Sequence, residues 1–145
     1  MDLLEKNPHE LKLKGQKLSD TYSILALNKT SQLVEFGLSH NALTKLEFDS
    51  EYQFNKLKVL DASHNLIDSV IFDLKRLEVL NLSHNKLRDI PSMNFCPSLK
   101  ILDLSHNDIT KLALHNIEKC ENRIQELNLA ANMIEFKCNR AYNRA

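Results

Sequence analysis

One eleven-residue phrase returns five times along the chain and constrains its fold more than any other feature. The phrase is L-x-x-L-x-L-x-x-N-x-L, and its copies begin at Leu33, Leu57, Leu77, Leu99 and Ile124. Successive starts are 24, 20, 22 and 25 residues apart. Recurrence at this period indicates a stack of small structural units. One unit cannot bury its own apolar side, so the core must form between stacked neighbours.

The phrase resembles the consensus of the leucine-rich-repeat family, and the resemblance covers about residues 8–134. It implies an α/β fold, a right-handed solenoid with a curved parallel sheet on the concave face and helices and irregular turns on the convex face. We expect a single domain over 1–145, with a cap and a degenerate first repeat at 1–18, five full repeats at 33–134 and a short cap or tail at 135–145. A resemblance of this kind specifies fold far better than function.

Alternation within the phrase predicts six strands, at about 10–14, 35–39, 59–63, 79–83, 101–105 and 126–130. Side chains of a strand alternate between faces, so every second residue points into the core. The predicted core residues are Leu60, Ala62, Leu80, Leu82, Leu102, Leu104, Leu127 and Leu129. The outward residues form three rows. Row one holds Glu10, Glu35, Val59, Val79, Ile101 and Glu126. Row two holds Lys12, Gly37, Asp61, Asn81, Asp103 and Asn128. Row three holds Lys14, Ser39, Ser63, Ser83, Ser105 and Ala130.

The middle of these rows is the predicted binding surface for another protein or a peptide segment. Val59, Val79 and Ile101 form an apolar line beside acidic residues. Apolar anchors within a charged rim are typical of protein interfaces, so we expect a partner segment with an apolar ridge and basic flanks. The predicted contact residues are Glu35, Val59, Asp61, Val79, Asn81, Ile101, Asp103, Glu126 and Asn128.

An asparagine follows each strand of the five full repeats, and a histidine precedes it in four of them. The asparagines are Asn41, Asn65, Asn85, Asn107 and Asn132. Their amides can bond to backbone groups that a turn leaves unpaired, which predicts a buried structural ladder. The histidines are His40, His64, His84 and His106. Imidazoles ligate metals and titrate near neutrality. Ser-His-Asn is ordinary variation within the family, however, so we predict no metal site and no cofactor.

The segments between the strands differ in length and composition. Residues 19–32 follow possible helix caps at Ser19 and Asp20 and predict a convex helix, and 44–56 and 110–123 have room for a helical turn or more. The short segment 68–76, and 88–98 with its two prolines, predict irregular or tight helical turns. At the ends we expect a short helix beginning near Asp2, and a cover for the last repeat from Phe136, Cys138 and Tyr142.

Composition excludes several function classes. Lys plus Arg and Asp plus Glu are 19 each, which argues against nucleic acid as a partner. Two glycines cannot build a phosphate-binding loop, and no apolar run is long enough for membrane insertion. The three cysteines include no Cys-x-x-Cys pair, which disfavours a disulfide framework or a zinc site. Asp61, Ser63 and His64 are neighbours, but on an open sheet they lack the enclosed site that catalysis needs, so we predict no enzyme.

The sequence therefore predicts a non-catalytic protein–protein interaction module, such as an adaptor, scaffold or regulatory subunit. The beginning of the chain lacks a hydrophobic secretion core, and a cytoplasmic location is expected. The alternative is a secreted or extracellular recognition receptor of the innate-immune or adhesion type. Asn28-Lys29-Thr30 and Asn81-Leu82-Ser83 match the glycan acceptor pattern and support that alternative. Partner identity, oligomeric state and whether the chain is a whole protein stay open at this point.

Overall fold

Short parallel strands dominate the computed structural model, which describes residues 7–25, 30–48, 54–120 and 123–135. The strands are β1 (Glu10–Lys12), β2 (Glu35–Gly37), β3 (Lys45–Phe48), β4 (Val59–Asp61), β5 (Ser69–Phe72), β6 (Val79–Asn81), β7 (Ile101–Asp103) and β8 (Glu126–Asn128). One six-stranded sheet has the order β1-β2-β4-β6-β7-β8, so each repeat adds a strand beside the preceding one. This sheet lines the concave side of the predicted solenoid.

All six predicted strands of the concave sheet are present and begin at the predicted residues. Each ends two residues earlier than predicted, and in β4, β6, β7 and β8 the side chain of the last residue accepts a hydrogen bond from the backbone N–H two residues later. In β4, for example, Asp61 Oδ1 accepts a hydrogen bond from Ser63 N at 3.0 Å. Pairing between neighbouring repeats still continues past the strand, since His40 N donates to the Ser63 carbonyl at 3.1 Å.

The convex side contains a second parallel sheet that the sequence reasoning missed. Strands β3 and β5 pair along their whole length, from Lys45–Ser69 to Phe48–Phe72. The helical turn predicted within 44–56 and the irregular or tight turn predicted within 68–76 are therefore wrong over these strands. Leu46 and Phe48 of β3 are buried, Val70 and Phe72 of β5 pack against the same core, and Ile71 between them is exposed. In the next repeat Pro91 lacks a backbone N–H, and no strand follows there.

Helical structure is sparse and short. Helix α1 (Tyr22–Leu25) and a 3₁₀ turn (Thr30–Gln32) lie within the predicted convex helix at 19–32. A 3₁₀ helix (Leu114–Cys120) matches the turn predicted within 110–123. The segment 88–98 forms neither helix nor strand, as predicted. The expected helix near Asp2 and the cover from Phe136, Cys138 and Tyr142 lie outside the described residues.

The core lies between the two sheets and follows the predicted leucine pattern. Six of the predicted core residues have no exposed surface, namely Leu60, Ala62, Leu80, Leu82, Leu102 and Leu104. Leu127 and Leu129, on the last strand, are half-buried. Between β2 and the convex sheet, the Phe54 ring lies 5.6 Å from Phe36 and 4.6 Å from Phe48. These aromatic contacts join the concave and convex sheets in the first half of the stack.

Candidate interaction surface

The outward residues of the concave sheet lie in straight rows across the strands. In row one Glu35 pairs with Val59, Val59 with Val79 and Val79 with Ile101, and Ile101 then pairs with Glu126. The two valines and Ile101 are half-exposed on β4, β6 and β7. Three adjacent strands thus present an uninterrupted apolar line with a carboxylate at each end. The register is the predicted one, while partner binding by these residues stays a prediction.

Row two combines a structural role with exposed polar groups. Asn81 Oδ1 accepts from Ser83 N at 3.0 Å, Asp103 Oδ1 from Ser105 N at 2.8 Å and Asn128 Oδ1 from Ala130 N at 3.1 Å. Together with the equivalent bond of Asp61, these contacts end the four strands. The opposite oxygen of Asp103 accepts from Asn128 Nδ2 at 3.3 Å. Asp103 therefore caps its strand with one oxygen and bonds to the neighbouring strand with the other.

Row three was predicted to face outward, and this prediction is wrong for its four serines. Ser39, Ser63, Ser83 and Ser105 are buried. Only Lys14 and Ala130, at the two ends of the row, are exposed. These serines lie two residues beyond the ends of their strands, where the alternation of faces no longer applies.

Charge on the surface is predominantly acidic beyond the first strand. Rows one and two carry four carboxylates between β2 and β8, at Glu35, Asp61, Asp103 and Glu126, and no lysine or arginine. On β1, Lys12 forms an ion pair with Glu10, and the hydrogen bond that Lys12 donates to that carboxylate raises the pKa of Lys12. The middle of the concave face is therefore apolar and negatively charged.

Next to this region the carboxylate of Glu78 lies between two lysines. Its oxygens are 2.5 Å from Lys100 Nζ and 3.1 Å from Lys58 Nζ. Hydrogen bonds from Lys100 and then Lys58 lower the pKa of Glu78. Exposed ion pairs of this kind stabilise a fold weakly. They keep the Glu78 carboxylate ionised, one residue before Val79 of the apolar line.

A depression of about 280 Å³ interrupts row two where Gly37 has no side chain. Its lining includes Lys12, Glu35, Phe36, Val59 and Asp61. A Cβ atom at Gly37 would lie 3.4 Å from Lys12 Cγ, an ordinary contact, so the glycine leaves space without being required by packing. The sequence reasoning did not predict this depression, although a glycine in an outward row was the available signal.

The ladder asparagines hold neighbouring repeats together through the backbone. Asn85 is buried and donates from Nδ2 to the carbonyls of Ala62 and Leu82, both at 3.0 Å. Its Oδ1 accepts from Ile67 N at 2.9 Å. The other four make the equivalent bonds, from Asn41 with Leu13, Leu38 and Leu18 to Asn132 with Leu104, Leu129 and Ile109. These side chains are thus occupied within the fold and are not free to bind a partner.

The four histidines stack on one another along the side of the sheet. The ring centroids of His40 and His64 are 4.2 Å apart, and those of His64–His84 and His84–His106 are both 4.1 Å apart. Successive planes differ by 8° to 10°. We call these four residues the histidine stack. All four are exposed.

Backbone conformation explains why the rings align. The four histidines have φ between 52° and 57°, in the left-handed region, and the aligned residues of the outer repeats, Gly15 and Ala131, have φ of 68° and 53°. The same turn therefore recurs in six repeats. In the four repeats that have a histidine there, it gives each ring the same orientation. Gly15 was a sequence signal for this conformation, because glycine favours positive φ, yet the sequence reasoning did not use it.

The described residues contain neither a cluster of metal ligands nor a membrane-spanning helix. No three or more His, Cys, Asp or Glu side chains in the described ranges converge to hold a metal ion, the histidine stack included. No helix in the same ranges is both long enough and apolar enough to cross a membrane. Cys96 and Cys120 are buried and unpaired, and burial raises the pKa of the Cys96 thiol to about 12.

Comparison with known proteins agrees with this architecture. Residues 75–114 match a family model described as leucine-rich repeats in two copies. A chain in the crystal structure of the LRIM1/APL1C complex superposes with a TM-score of 0.64 at 25% identity, covering 91% of this chain and 28% of that one. The chain is a leucine-rich-repeat protein.

Relatives of this leucine-rich-repeat protein have different roles. It is 46% identical over 67 residues to the oligodendrocyte-myelin glycoprotein of Homo sapiens, covering 44% of this chain and 15% of that protein. It is 31% identical over 121 residues to the protein phosphatase 1 regulatory inhibitor subunit PPP1R7 homolog of Arabidopsis thaliana, covering 78% and 36%. The chain thus spans between 15% and 36% of the length of these two relatives. Neither relative is named as a catalytic chain.

Proposed function

We propose that this leucine-rich-repeat protein is a non-catalytic module that binds another protein through its concave face, in the cytoplasm, as an adaptor, scaffold or regulatory subunit does. The observation that carries the proposal is the apolar line of Val59, Val79 and Ile101. These side chains lie in register on three adjacent strands and are half-exposed. Apolar side chains grouped at the centre of a surface are the usual anchors of protein interfaces.

The carboxylates around the apolar line favour a partner segment with basic residues. Glu35 and Glu126 lie at its two ends, and Asp61 and Asp103 lie beside it in row two. A partner segment with an apolar ridge and basic flanks complements this pattern, because opposite charges favour encounter and fix the register of binding. The segment is extended or helical. Relatives that include a regulatory subunit support an interaction role.

A peptide selection tests this proposal directly, because the surface itself chooses the ligand. Random peptides displayed on phage are selected on the chain, and the selected peptides are synthesised with a fluorescent label for anisotropy measurements. We expect apolar peptides rich in lysine and arginine. Replacing Val59, Val79 and Ile101 together by glutamate is expected to weaken their binding by at least about 100-fold, because central anchors contribute most of an interface's affinity.

A matched control comes from the opposite side of the molecule. Ile71 on β5 is 62% exposed, and Ile71→Glu makes the same kind of apolar-to-glutamate replacement once, on the convex sheet. This variant is expected to bind the peptides as the native chain does. Circular dichroism and urea unfolding verify that all variants are folded. Equal binding by the triple variant, equal loss in Ile71→Glu, or selection of acidic peptides would each reject the concave-face proposal.

A second candidate is an extracellular recognition receptor, favoured by the identity of 46% with a glycoprotein. The cysteines and Asn81 distinguish the two. Three titratable thiols in denaturant support the cytoplasmic proposal, in line with the unpaired Cys96 and Cys120. A glycan found on Asn81 by mass spectrometry, after expression through a secretory pathway, would support the receptor instead and would cover row two.

A further inference from the structure

We infer that the histidine stack is a pH-sensitive element of the concave surface, which weakens the binding of a basic segment there when its rings take up protons. The inference rests on the proposed function, since it takes a basic segment to be what binds. It assigns a role to a feature that the binding surface itself does not use.

The backbone holds the four rings in place. Each histidine has a left-handed backbone conformation, and its N–H donates to the next repeat, as His64 N does to Ser83 O at 3.0 Å and His84 N to Ser105 O at 2.9 Å. The spacing of 4.1–4.2 Å therefore follows from the repeat and not from a free choice of side-chain rotamer. Protonated rings can separate only by leaving the stack or distorting the turn.

Adjacent charges within the stack oppose one another. Two positive rings about 4 Å apart repel each other even when water screens their charges fully. Desolvation lowers the pKa of His84, and the charges of His106 and His64 lower it further. Although His84 is exposed, the rings on both sides of it displace water from its faces. A positive charge on a neighbouring ring therefore opposes the protonation of His84.

The stack is electrically connected to the binding surface. Asp103, in row two, lies three residues before His106 and bonds to Ser105 N in the same turn, and its charge acts against the lowering of the His84 pKa. The charged groups in the turns of the stack, or at equivalent positions of the first repeat beside His40, are Lys12, Lys14, Lys17, Asp61, Lys86, Asp103 and Asp108. Four are basic and three acidic, and Lys12 is ion-paired with Glu10, so each proton on a ring adds positive charge that no excess of carboxylates compensates. That charge offsets the carboxylates that attract a basic segment.

Binding measurements at two pH values test the inference. The probe is the labelled basic peptide obtained in the selection, and the variant replaces all four histidines by asparagine, which tolerates positive φ. The native chain is expected to bind it about five- to tenfold more weakly at about pH 5.5 than at about pH 7.5, where histidines have lost their protons. The variant should change less than about twofold. Equal pH dependence in both proteins would overturn the inference.

Nuclear magnetic resonance gives a second readout that needs no partner. The ring protons of His84 are titrated in the native chain and in a His64→Asn, His106→Asn variant. Removal of both neighbouring rings is expected to raise the pKa of His84, and an unchanged titration would overturn the inference while leaving the proposed function intact. Failure to select any peptide would reject the proposed function and, with it, the role of the stack in binding.

Discussion

Replacing Asn85 by alanine tests how the repeats are held together. The native side chain is buried and makes hydrogen bonds to four backbone groups, those of Ile67, Ala62, Leu82 and Ser83. The three carbonyls each keep another donor after the substitution. Ala62 O still accepts from the Asn65 amide, Leu82 O from the Asn107 amide and Ser83 O from the His64 backbone. Only Ile67 N loses its partner.

The expected cost follows from this count. One buried N–H without a partner costs about 1–3 kcal/mol, and a loss of net hydrogen bonding of about 1 kcal/mol adds to it. We therefore expect Asn85→Ala to lower the free energy of unfolding by about 2–4 kcal/mol, a large share of the stability of a small domain.

Urea denaturation followed by circular dichroism measures this loss, and Asn132→Ala provides the comparison. Asn132 makes equivalent bonds in the last full repeat but is only half-buried, so water can replace part of what is lost. We expect it to cost about half as much or less. A loss below about 0.5 kcal/mol at Asn85, or equal losses at both positions, would refute this account of the ladder.

Three further substitutions test the core, the turn and the thiol. Leu80→Ala removes a fully buried side chain and should lower the free energy of unfolding by about 2–5 kcal/mol in urea denaturation, whereas a loss below about 1 kcal/mol would contradict the packing. His64→Val forces a β-branched residue to φ of 52° and should cost about 1–2 kcal/mol more than His64→Asn in the same assay, while equal costs would contradict a backbone constraint. Since burial raises the pKa of Cys96 to about 12, its native thiol should resist a thiol reagent until the protein is unfolded. The folded chain should also lose stability as the pH rises above about 8.5, where only the unfolded thiol ionises, and Cys96→Ala should reduce this loss; an unaltered alkaline profile would contradict it.

The concave half of the fold was predictable because its determinants are local and repeated. Each strand has the same alternation of apolar residues, so the strand position predicted for one repeat can be checked against the other repeats. The convex half was harder, because β3 and β5 belong to segments of different sequence, KLEF and SVIF, that become strands by pairing with each other. A length argument assigned a helical turn to the first segment and an irregular or tight helical turn to the second, although the alternation of KLEF and the β-branched residues of SVIF favoured strands.

The candidate surface divides in the same way. Alternation alone predicted rows one and two, with Val59 beside Val79 and Val79 beside Ile101. Alternation failed for the serines of row three. Asp61, Asn81 and Asp103 end their strands with side-chain hydrogen bonds, which the periodicity of the sequence does not reveal. The stacking of the histidines was also beyond it, since ring orientation depends on the sign of φ.

The doubly bonded carbonyls of the asparagine ladder have a consequence for chain length. Ala62 O and Leu82 O each accept one amide from their own repeat and one from the next, and the same scheme joins Leu104 to Asn132. The asparagine hydrogen bonds between neighbouring repeats are therefore the same at each of these junctions. We therefore expect a duplicated copy of residues 77–98 to keep the same hydrogen bonds to the repeats on either side of it.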